Sequence, residues 1–333
     1  MKKSRKIYNL FRIYINYIKR NSILSYKPTR LWIEPTNVCN LKCRLCPNKD
    51  IPKEQKGFMD WELYKNIVDQ SCNYLHDIYL FHRGESLLHP QIIDMIKYAN
   101  LKNIKTVLHT NATVLNKELS KEIIDANLDF ISFSFDGYDK EMYELNRTPA
   151  KYEKTLSKIF ELLKLKKKIG VNSPYTRIQV MEYTNGYDKE ELSKQKKLFI
   201  KNFEGLPLDE LNVRIPHNWG GSISILENVD ELKRIGFKYV PCPFLWYSLT
   251  IFYDGKVAPC PQDWFGKISV GDAKENSLVD IFNNEKLVNL RNTISTGDIE
   301  NMDPCNSCDR VWRKTFLGVP TDYLLPFLKL SLE

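Results

Sequence analysis

Three cysteines stand close together near the start of the chain, in the pattern Cys39-x3-Cys43-x2-Cys46. Three thiolates on one short loop, with no fourth cysteine close by, suit a [4Fe–4S] cluster with one open iron, because four thiolates normally close such a cluster. An open iron is a place where a small molecule can bind and react. Zinc also takes thiolates, but structural zinc sites usually pair one Cys-x2–4-Cys with a second pair. The spacing therefore favours an iron–sulfur cluster.

Short apolar runs alternate with helix-period segments from residue 31 to about residue 220. Such alternation favours βαβ units and a parallel sheet, and six units make a partial barrel. We therefore predict an α/β fold with a partial (β/α)6 parallel barrel. The predicted strands are 31–34, 78–81, 106–109, 130–135, 177–182 and 211–215. The predicted helices include 61–74, 91–99, 117–126 and 152–167.

Polar residues follow the first four predicted strands at the point where each strand ends. Ligands of parallel α/β folds bind at the carboxyl ends of the strands, so these residues are expected on one rim. In strand order they are Cys39, Cys43 and Cys46, then Gly84 and Glu85, then Thr110 and Asn111, then Ser134 and Asp136.

The pattern changes after about residue 240. Residues 245–253 and 256–259 predict a β-hairpin, with Asp254-Gly255 as its turn, and a helix is predicted at 278–291. Cysteines 242 and 260 frame the hairpin, and Cys305-x2-Cys308 follows the helix. The predicted domains are an N-terminal helix at 1–30, the barrel at 31–236, a small hairpin-plus-helix module at 237–318 and a tail at 319–333.

Length and composition fit this division. The 333 residues suggest roughly two domains of ~150 residues, and 43% hydrophobic residues suffice for a buried core. The net charge of +8, from 49 basic and 41 acidic residues, favours anionic partners without requiring nucleic acid. No secretory signal or run of ~20 apolar residues is evident. We therefore expect a cytoplasmic protein, in which clustered thiols indicate metal ligands.

The N-terminal segment 1–30 is basic, and its run of apolar residues is interrupted by Asn9, Arg12 and Asn16. It predicts an amphipathic helix that packs on the protein, or one that makes weak, reversible contact with an anionic membrane surface. Cys72 stands alone on a predicted helix and is expected to be a small core residue.

Together these residues resemble the radical S-adenosylmethionine (SAM) superfamily, whose signature is the spacing of Cys39, Cys43 and Cys46. The resemblance extends over residues 30–310. It implies that the open iron binds the amino and carboxylate groups of SAM, and that one electron from the cluster cleaves SAM to a 5′-deoxyadenosyl radical. That radical abstracts hydrogen from an unactivated C–H bond. A flavodoxin or ferredoxin is the implied electron donor.

The resemblance also implies the residues that bind SAM. Residues 82–86 lie where the family has Gly-Gly-Glu-Pro, but the first glycine is Arg83 and the proline is Ser86. Glu85 is kept, so its carboxylate would accept hydrogen bonds from the SAM ammonium. The other implied SAM-binding residues are Gly84, Thr110, Asn111, Ser134 and Asp136, with Arg147 near the SAM carboxylate and Leu45 beside the adenine.

The C-terminal module resembles the SPASM and twitch domains of this superfamily. A full SPASM domain would continue with three more cysteines, but none follows Cys308, and the position where the next cysteine would fall is Lys314. The resemblance implies the short twitch arrangement, with one auxiliary [4Fe–4S] cluster in which every iron is capped. Its four ligands would be Cys242, Cys260, Cys305 and Cys308. A zinc ribbon built from the same cysteines is the alternative.

The predicted function is that of a radical SAM oxidoreductase acting on a small polar metabolite, such as a sugar, an aminocyclitol or a nucleotide-sugar. A capped auxiliary cluster favours oxidation of an alcohol, with that cluster as electron acceptor. A redox-neutral elimination or epimerisation uses the same first step. A peptide-modifying maturase is the first rival, although residues 1–30 are short for a leader-binding domain. A non-catalytic iron–sulfur or zinc protein is the rival from another class.

The catalytic base is predicted in the segment after the sixth strand. His217 could act as a general acid or base near neutral pH. Arg214 and Asn218 could orient a polyol or an anionic group. The alternative for this segment is a loop that packs the two domains together, with Trp219 buried between them.

Overall fold

The computed structural model describes residues 3–182, 188–214, 216–223 and 229–321. Residue 215 of the sixth predicted strand and residues 322–333 of the predicted tail lie outside this range. The strands are β1 (Arg30–Ile33), β2 (Asp77–Leu80), β3 (Lys105–Thr110), β4 (Phe130–Ser134), β5 (Tyr175–Met181), β6 (Glu210–Arg214), β7 (Lys238–Tyr239), β8 (Ser248–Ile251), β9 (Lys256–Ala258), β10 (Gly271–Asp272), β11 (Trp312–Arg313), β12 (Thr315–Phe316) and β13 (Val319–Pro320). The helices are α1 (Lys3–Ile18), α2 (Trp61–Ser71), α3 (Ile92–Leu101), α4 (Lys117–Asp125), α5 (Lys140–Asn146), α6 (Tyr152–Ile169), α7 (Lys189–Lys201), α8 (Val229–Arg234), α9 (Leu278–Phe282) and α10 (Glu285–Thr296).

The six strands β1 to β6 form a parallel sheet in chain order, each paired with the next. This confirms the predicted partial barrel. Every residue of β1 and β2 is buried, as expected for parallel strands that are covered on both faces. The polar residues that end these strands are thereby brought to one rim.

The helices between the strands begin where the sequence supplies a capping side chain. Asp60, Asn116, Asp139 and Asp188 each accept a hydrogen bond from a backbone N–H of the first turn, at the starts of α2, α4, α5 and α7. Such a cap stabilises a helix by about 1 kcal/mol. Helix α6 ends at Gly170, whose φ of 77° is the left-handed conformation that favours glycine.

The hairpin after residue 240 continues the sheet of the barrel. Strand β8 pairs in parallel with β1 and antiparallel with β9, so that the sheet has nine strands in the order β10-β9-β8-β1-β2-β3-β4-β5-β6. The predicted turn is present, with Gly255 at a φ of 93°. The C-terminal module is therefore joined to the barrel by backbone hydrogen bonds.

The single helix predicted at 278–291 is wrong, because α9 and α10 are separate. Asn283 ends α9, and the side chain of Asn284 accepts a hydrogen bond from the backbone N–H of Leu287 to begin α10. Asparagine side chains compete for backbone hydrogen bonds in this way and favour caps over helix interiors.

Helix α1 packs on the protein through one face. Leu10, Ile13 and Tyr17 are buried, and the Tyr17 hydroxyl donates a hydrogen bond to the backbone oxygen of Pro241. Tyr8 and Phe11 on this helix remain 60% and 59% exposed. Among the described helices, none combines the length and the apolar character needed to span a bilayer. Contact with a membrane surface stays a prediction.

Candidate active site

A cavity of about 310 Å³ lies inside the barrel and at its rim. It is lined by the first three cysteines and by all ten residues predicted to bind SAM or to act in catalysis. These ten are Leu45, Gly84, Glu85, Thr110, Asn111, Ser134, Asp136, Arg147, Arg214 and His217. The structure therefore gathers side chains from five strand ends into one space.

Cys39, Cys43 and Cys46 present their thiols to this cavity from one loop. The pKa of Cys39 is raised to about 11 and that of Cys46 to about 12, chiefly by burial, with a contribution from a neighbouring thiol of the loop in each case. Thiols ligate metals as thiolates, so binding of a cluster here would release their protons. Three neighbouring thiols facing a cavity fit a [4Fe–4S] cluster that leaves one iron open.

Gly84 packs directly against the backbone of the cysteine loop. A Cβ at this position would lie 2.3 Å from the backbone oxygen of Thr36 and 2.6 Å from that of Val38. The neighbouring N–H of Glu85 donates a hydrogen bond to the same Val38 oxygen at 2.9 Å. Glycine is thus required here because two backbone segments approach closely.

Glu85 is buried between the ends of β2 and β3. Its carboxylate accepts hydrogen bonds from the Thr110 hydroxyl at 2.7 Å, the Asn111 N–H at 2.6 Å and the Leu87 N–H at 3.1 Å. Burial raises its pKa, and these three hydrogen bonds oppose that rise. A carboxylate offers about four acceptor sites, so one more donor, such as an ammonium group, can be accommodated.

Arg147 lies between the cysteine loop and the end of β4. Its Nη2 is 2.6 Å from Asp136 Oδ2, and its Nη1 is 3.9 Å from the sulfur of Cys43. Asp136 also accepts a hydrogen bond from the Met181 N–H, which ties it to β5. Arg147 is therefore held in place as a fixed positive charge beside the thiols. Ser134 and Leu45 line the same cavity.

Glu34 is a site residue that sequence reasoning missed. It is fully buried, and it binds the Arg83 guanidinium through Nε at 2.6 Å and Nη2 at 2.7 Å. It also accepts a hydrogen bond from the Tyr253 N–H, and its Oε2 lies 3.4 Å from His82 Nδ1. Burial alone would raise its pKa, but Arg83 and His82 lower it to about 2. The Arg83 side chain therefore turns toward Glu34, which accounts for an arginine where the family has glycine.

The barrel interior holds further polar residues that were missed because they lie within strands and do not follow them. Alternate residues of β5 line the cavity, as do residues of β1, β2 and β3. The sequence did carry a sign of them, because charged or polar residues stand at every second position of strands that are otherwise apolar and buried. The polar residues of this set are Arg30, Tyr79, His109, Arg177 and Gln179.

The segment after β6 both lines the cavity and contacts the C-terminal module. His217 is buried, and its ring centroid is 4.1 Å from that of Trp219, which is 4.5 Å from that of Trp264. Burial, followed by the charges of Arg310, Arg214 and Arg313, lowers the pKa of His217 well below its usual value. The Asn218 amide donates a hydrogen bond to the Ser307 backbone oxygen. The segment thus contacts the C-terminal module as one interpretation expected, but Trp219 is only partly buried, and the catalytic role of His217 stays a prediction.

The four C-terminal cysteines lie near one another, outside the cavity lining. Cys242 and Cys308 are buried, and Cys260 and Cys305 are partly buried. Burial raises the pKa of all four thiols, and Cys242, Cys260 and Cys305 are raised further by other thiols of the set. Within the described residues, no three His, Cys, Asp or Glu side chains form a group that could hold a single metal ion. Four neighbouring buried thiols fit the ligand set of a second cluster.

Cys72 belongs to neither set of thiols. It ends helix α2 and is partly buried, with its thiol 3.3 Å from the backbone oxygen of Asp69. It also packs against the main hydrophobic core.

Comparison with known proteins matches two regions of the chain. Residues 33–194 match the radical SAM superfamily, and residues 242–309 match the SPASM iron–sulfur cluster-binding domain. The chain is 25% identical over 292 residues to the tungsten-containing aldehyde ferredoxin oxidoreductase cofactor-modifying protein of Pyrococcus furiosus, which covers 77% of this chain and 81% of that relative.

Two further similarities cover most of the chain. It is 23% identical over 281 residues to the S-adenosyl-L-methionine-dependent 2-deoxy-scyllo-inosamine dehydrogenase of Niallia circulans, covering 84% of this chain and 92% of the relative. The crystal structure of BtrN in complex with AdoMet and 2-DOIA superposes with a TM-score of 0.57 at 17% identity, covering 88% of this chain and 95% of that one. At 17% identity the superposition shows that the two chains share a fold.

The family matches and the two sets of thiols agree. The two matched domains imply a SAM-binding [4Fe–4S] cluster and an auxiliary cluster, and each matched region contains one of the two sets of thiols. The chain belongs to the radical SAM superfamily and carries a SPASM-type iron–sulfur domain.

Proposed function

We propose that this radical SAM enzyme oxidises a hydroxyl-bearing carbon of a small polar metabolite. The observation that carries this proposal is a set of buried polar atoms that line the cavity and have no hydrogen-bond partner among the described residues. Among them are Gln179 Oε1, Gln262 Oε1 and His217 Nε2. Leaving such an atom unpaired costs about 1–3 kcal/mol, and the hydroxyl groups of a ligand would satisfy all three.

The cofactor side of the cavity is assigned residue by residue. Cys39, Cys43 and Cys46 would ligate the cluster, and Glu85 would accept a hydrogen bond from the SAM ammonium. The remaining contacts would come from Arg147 to the carboxylate, from Leu45 to the adenine, and from Gly84, Thr110, Asn111, Ser134 and Asp136 around them. When bound, the cluster and SAM supply a 5′-deoxyadenosyl radical that can abstract hydrogen from a C–H bond.

His217 is proposed to receive the proton of the substrate hydroxyl. Its low pKa keeps the imidazole neutral near pH 7, so that Nε2 can accept a proton. Arg214 lines the same wall and would orient the substrate. The low pKa also means that His217 releases that proton readily afterwards.

Oxidation also requires an electron to leave the substrate. Cys242, Cys260, Cys305 and Cys308 would hold a second cluster, and such clusters accept and donate electrons. Asn218 connects the His217 segment to these cysteines, because its amide bonds the Ser307 oxygen and its oxygen accepts the Asp309 N–H. The dehydrogenase of Niallia circulans, similar over most of its length, supports an oxidation. A flavodoxin or ferredoxin is proposed as the electron donor to the first cluster.

The test is anaerobic reconstitution with iron, sulfide, SAM and dithionite, with 5′-deoxyadenosine measured by mass spectrometry. Wild-type protein should form it, and Cys43→Ala should lower its formation at least a hundredfold. Cys72→Ala is the matched control, because Cys72 lies at the end of α2 and does not line the cavity. Equal formation by wild-type and Cys43→Ala protein, or none by the reconstituted wild type, would refute the proposal.

The reaction outcome is read from metabolites of cells with and without the gene. A product lighter than its substrate by two hydrogens supports oxidation. Loss of water identifies an elimination instead, and an unchanged mass with altered stereochemistry identifies an epimerisation. A modified peptide in place of a metabolite would contradict the proposed substrate class.

A further inference from the structure

We propose that the substrate carries an anionic group, a phosphate or a carboxylate, which binds at Arg177 and Arg214 on the inner wall of the barrel. This inference rests on the proposed function, since it names the substrate class of the same cavity. The amides of Gln179 and Gln262 could bind neutral, cationic or anionic metabolites alike. The two arginines favour the anionic ones.

Arg177 is held in a fixed position on β5. Its Nε and Nη2 bond the same oxygen of Glu210, at 3.0 Å and 2.8 Å, and its guanidinium lies 4.6 Å from the ring centre of Phe130. Its side chain is only 12% exposed. The remaining terminal nitrogen, Nη1, has no hydrogen-bond partner among the described residues. A guanidinium fixed in this way loses little conformational entropy when it binds an anion.

Arg214 stands on the neighbouring strand β6 and lines the same cavity. Arg177 and Arg214 are both close enough to His109 to lower its pKa, after the larger effect of burial. The His109 ring stacks on Phe81 with centroids 3.9 Å apart and forms the wall between the strands. In the register of the two strands Arg214 lies opposite Met181, four residues beyond Arg177. Both side chains line the cavity, and an anionic group bound on this wall would lie between them.

The charges that line the cavity are unequal. Among the described residues, six arginines line it, whereas Glu85 and Asp136 are its acidic lining residues, and both lie on the cofactor side. The carboxylates that pair with Arg30, Arg83 and Arg177 lie outside the lining, on Asp77, Glu34 and Glu210. Arginine side chains therefore outnumber carboxylates on the part of the cavity away from the cysteines, and guanidinium groups match phosphate and carboxylate in geometry and charge.

The experiment is calorimetric titration of the anaerobic, unreduced holoenzyme in the presence of saturating SAM, so that the SAM carboxylate already occupies its own contacts. The probes are glucose 6-phosphate, glucuronate and glucose. We expect at least one anionic probe to bind tenfold or more tightly than glucose, with a dissociation constant below ~10 mM. Tighter binding of glucose 6-phosphate identifies a phosphate, and tighter binding of glucuronate identifies a carboxylate.

Arg177→Gln and Arg214→Gln should each weaken binding of the preferred anion tenfold or more. Arg234→Gln, whose side chain is 77% exposed, is the control and should change the affinity less than twofold. The inference is overturned if neither anion binds below ~10 mM, if glucose binds as tightly, or if Arg214→Gln binds the anion as wild type does. Anion binding without formation of 5′-deoxyadenosine would refute the proposed function alone, and the reverse result would refute this inference alone.

Discussion

Gly84 is the residue at which the cofactor site has least room. Its hydrogen atoms face two backbone oxygens of the segment that leads into the cysteine loop, Thr36 and Val38. The next residue, Glu85, follows β2 and accepts hydrogen bonds from Thr110 and Asn111 at the end of β3. The position of Glu85, which we propose to bind the SAM ammonium, is therefore set by a backbone contact that only glycine allows.

Gly84→Ala should destabilise the protein by about 1–3 kcal/mol and also reduce cluster content and SAM binding severalfold, because the added Cβ must push the cysteine loop away. Gly170→Ala is the control. Gly170 has a φ of 77° and nothing within 4 Å of its Cβ position, so that substitution should cost about 1–2 kcal/mol through backbone strain alone. Iron analysis and thermal unfolding measure both effects. Normal iron content in Gly84→Ala would contradict the prediction.

The residues that follow strand ends could be predicted from the sequence, since a parallel sheet brings its carboxyl ends to one rim. Gly84, Glu85, Thr110, Asn111, Ser134 and Asp136 line the cavity for that reason. Leu45 and Arg147 also line it, but they were predicted from the family resemblance. Glu34 and Arg177 were missed for different reasons. Glu34 resembles an ordinary strand terminus, and its importance depends on Arg83, a long-range partner. Arg177 lies inside strand β5, where it lines the cavity. An arginine on the opposite face of the strand would look the same in the sequence.

At the scale of elements, the Glu34 carboxylate joins the ends of three strands. It follows β1, it binds Arg83 after β2, and it accepts the N–H of Tyr253 after β8. Arg83 in turn lies over the Phe252 ring, with its guanidinium carbon 4.1 Å from the ring centre. A buried, bidentate pair of this kind fixes the relative position of the strands.

Glu34→Gln should lower the free energy of unfolding by about 3–5 kcal/mol at pH 7, because it leaves the Arg83 charge without its carboxylate. The folded-state pKa of about 2 lies below the unfolded value of about 4.3, so ionised Glu34 stabilises the fold above pH 4.3. That contribution is lost as the pH falls toward 2. Urea unfolding at several pH values should therefore show the difference between wild type and variant shrinking below about pH 4.3.

Glu62→Gln provides the control for this comparison. Glu62 is 72% exposed and pairs only across a surface turn with Lys65, so its replacement should change stability by less than about 0.5 kcal/mol at any pH. A Glu34→Gln difference that stayed constant down to pH 3 would show that the carboxylate does not titrate as expected.

The elements themselves were largely predictable, because short buried strands and long amphipathic helices differ in period and length. The boundaries of the six barrel strands fall within two residues of the prediction for the residues that the structure describes. The break between α9 and α10 was missed, since Asn283 and Asn284 continue a helical apolar pattern. The break depends on side-chain caps, which override the pattern locally.

At the scale of the whole molecule, the two sets of cysteines lie in different environments. The first set lines the cavity, whereas the second lies outside its lining, with two cysteines buried and two partly buried. This arrangement predicts a division of labour, in which the first set is needed for SAM cleavage and the second for completing the reaction on the substrate.

Cys308→Ala should therefore retain most 5′-deoxyadenosine formation, within about threefold of wild type, and lose product formation. Its iron content should be lower than that of wild type, since one ligand of the auxiliary cluster is removed. Cys43→Ala should lose both activities. If Cys308→Ala lost SAM cleavage to the same extent while thermal unfolding showed an intact fold, the two-cluster division would be wrong.

The pairing of β8 with β1 could not be predicted from the sequence, because nothing local to residues 248–251 specifies a partner more than 200 residues away. The apolar residues of both strands predict that each strand is buried, but they do not indicate that the two strands pair with each other. The long-range pairing is a property of the folded sheet.

That pairing also gives the C-terminal module a protective role. Strand β1 is apolar, with Leu31 and Ile33 fully buried, and β8 satisfies the backbone groups along one of its edges. A barrel truncated before residue 240 would present this edge bare, and an exposed apolar edge strand pairs readily with other chains. We therefore expect the C-terminal module, besides carrying the second set of cysteines, to limit self-association of the barrel through this strand pairing.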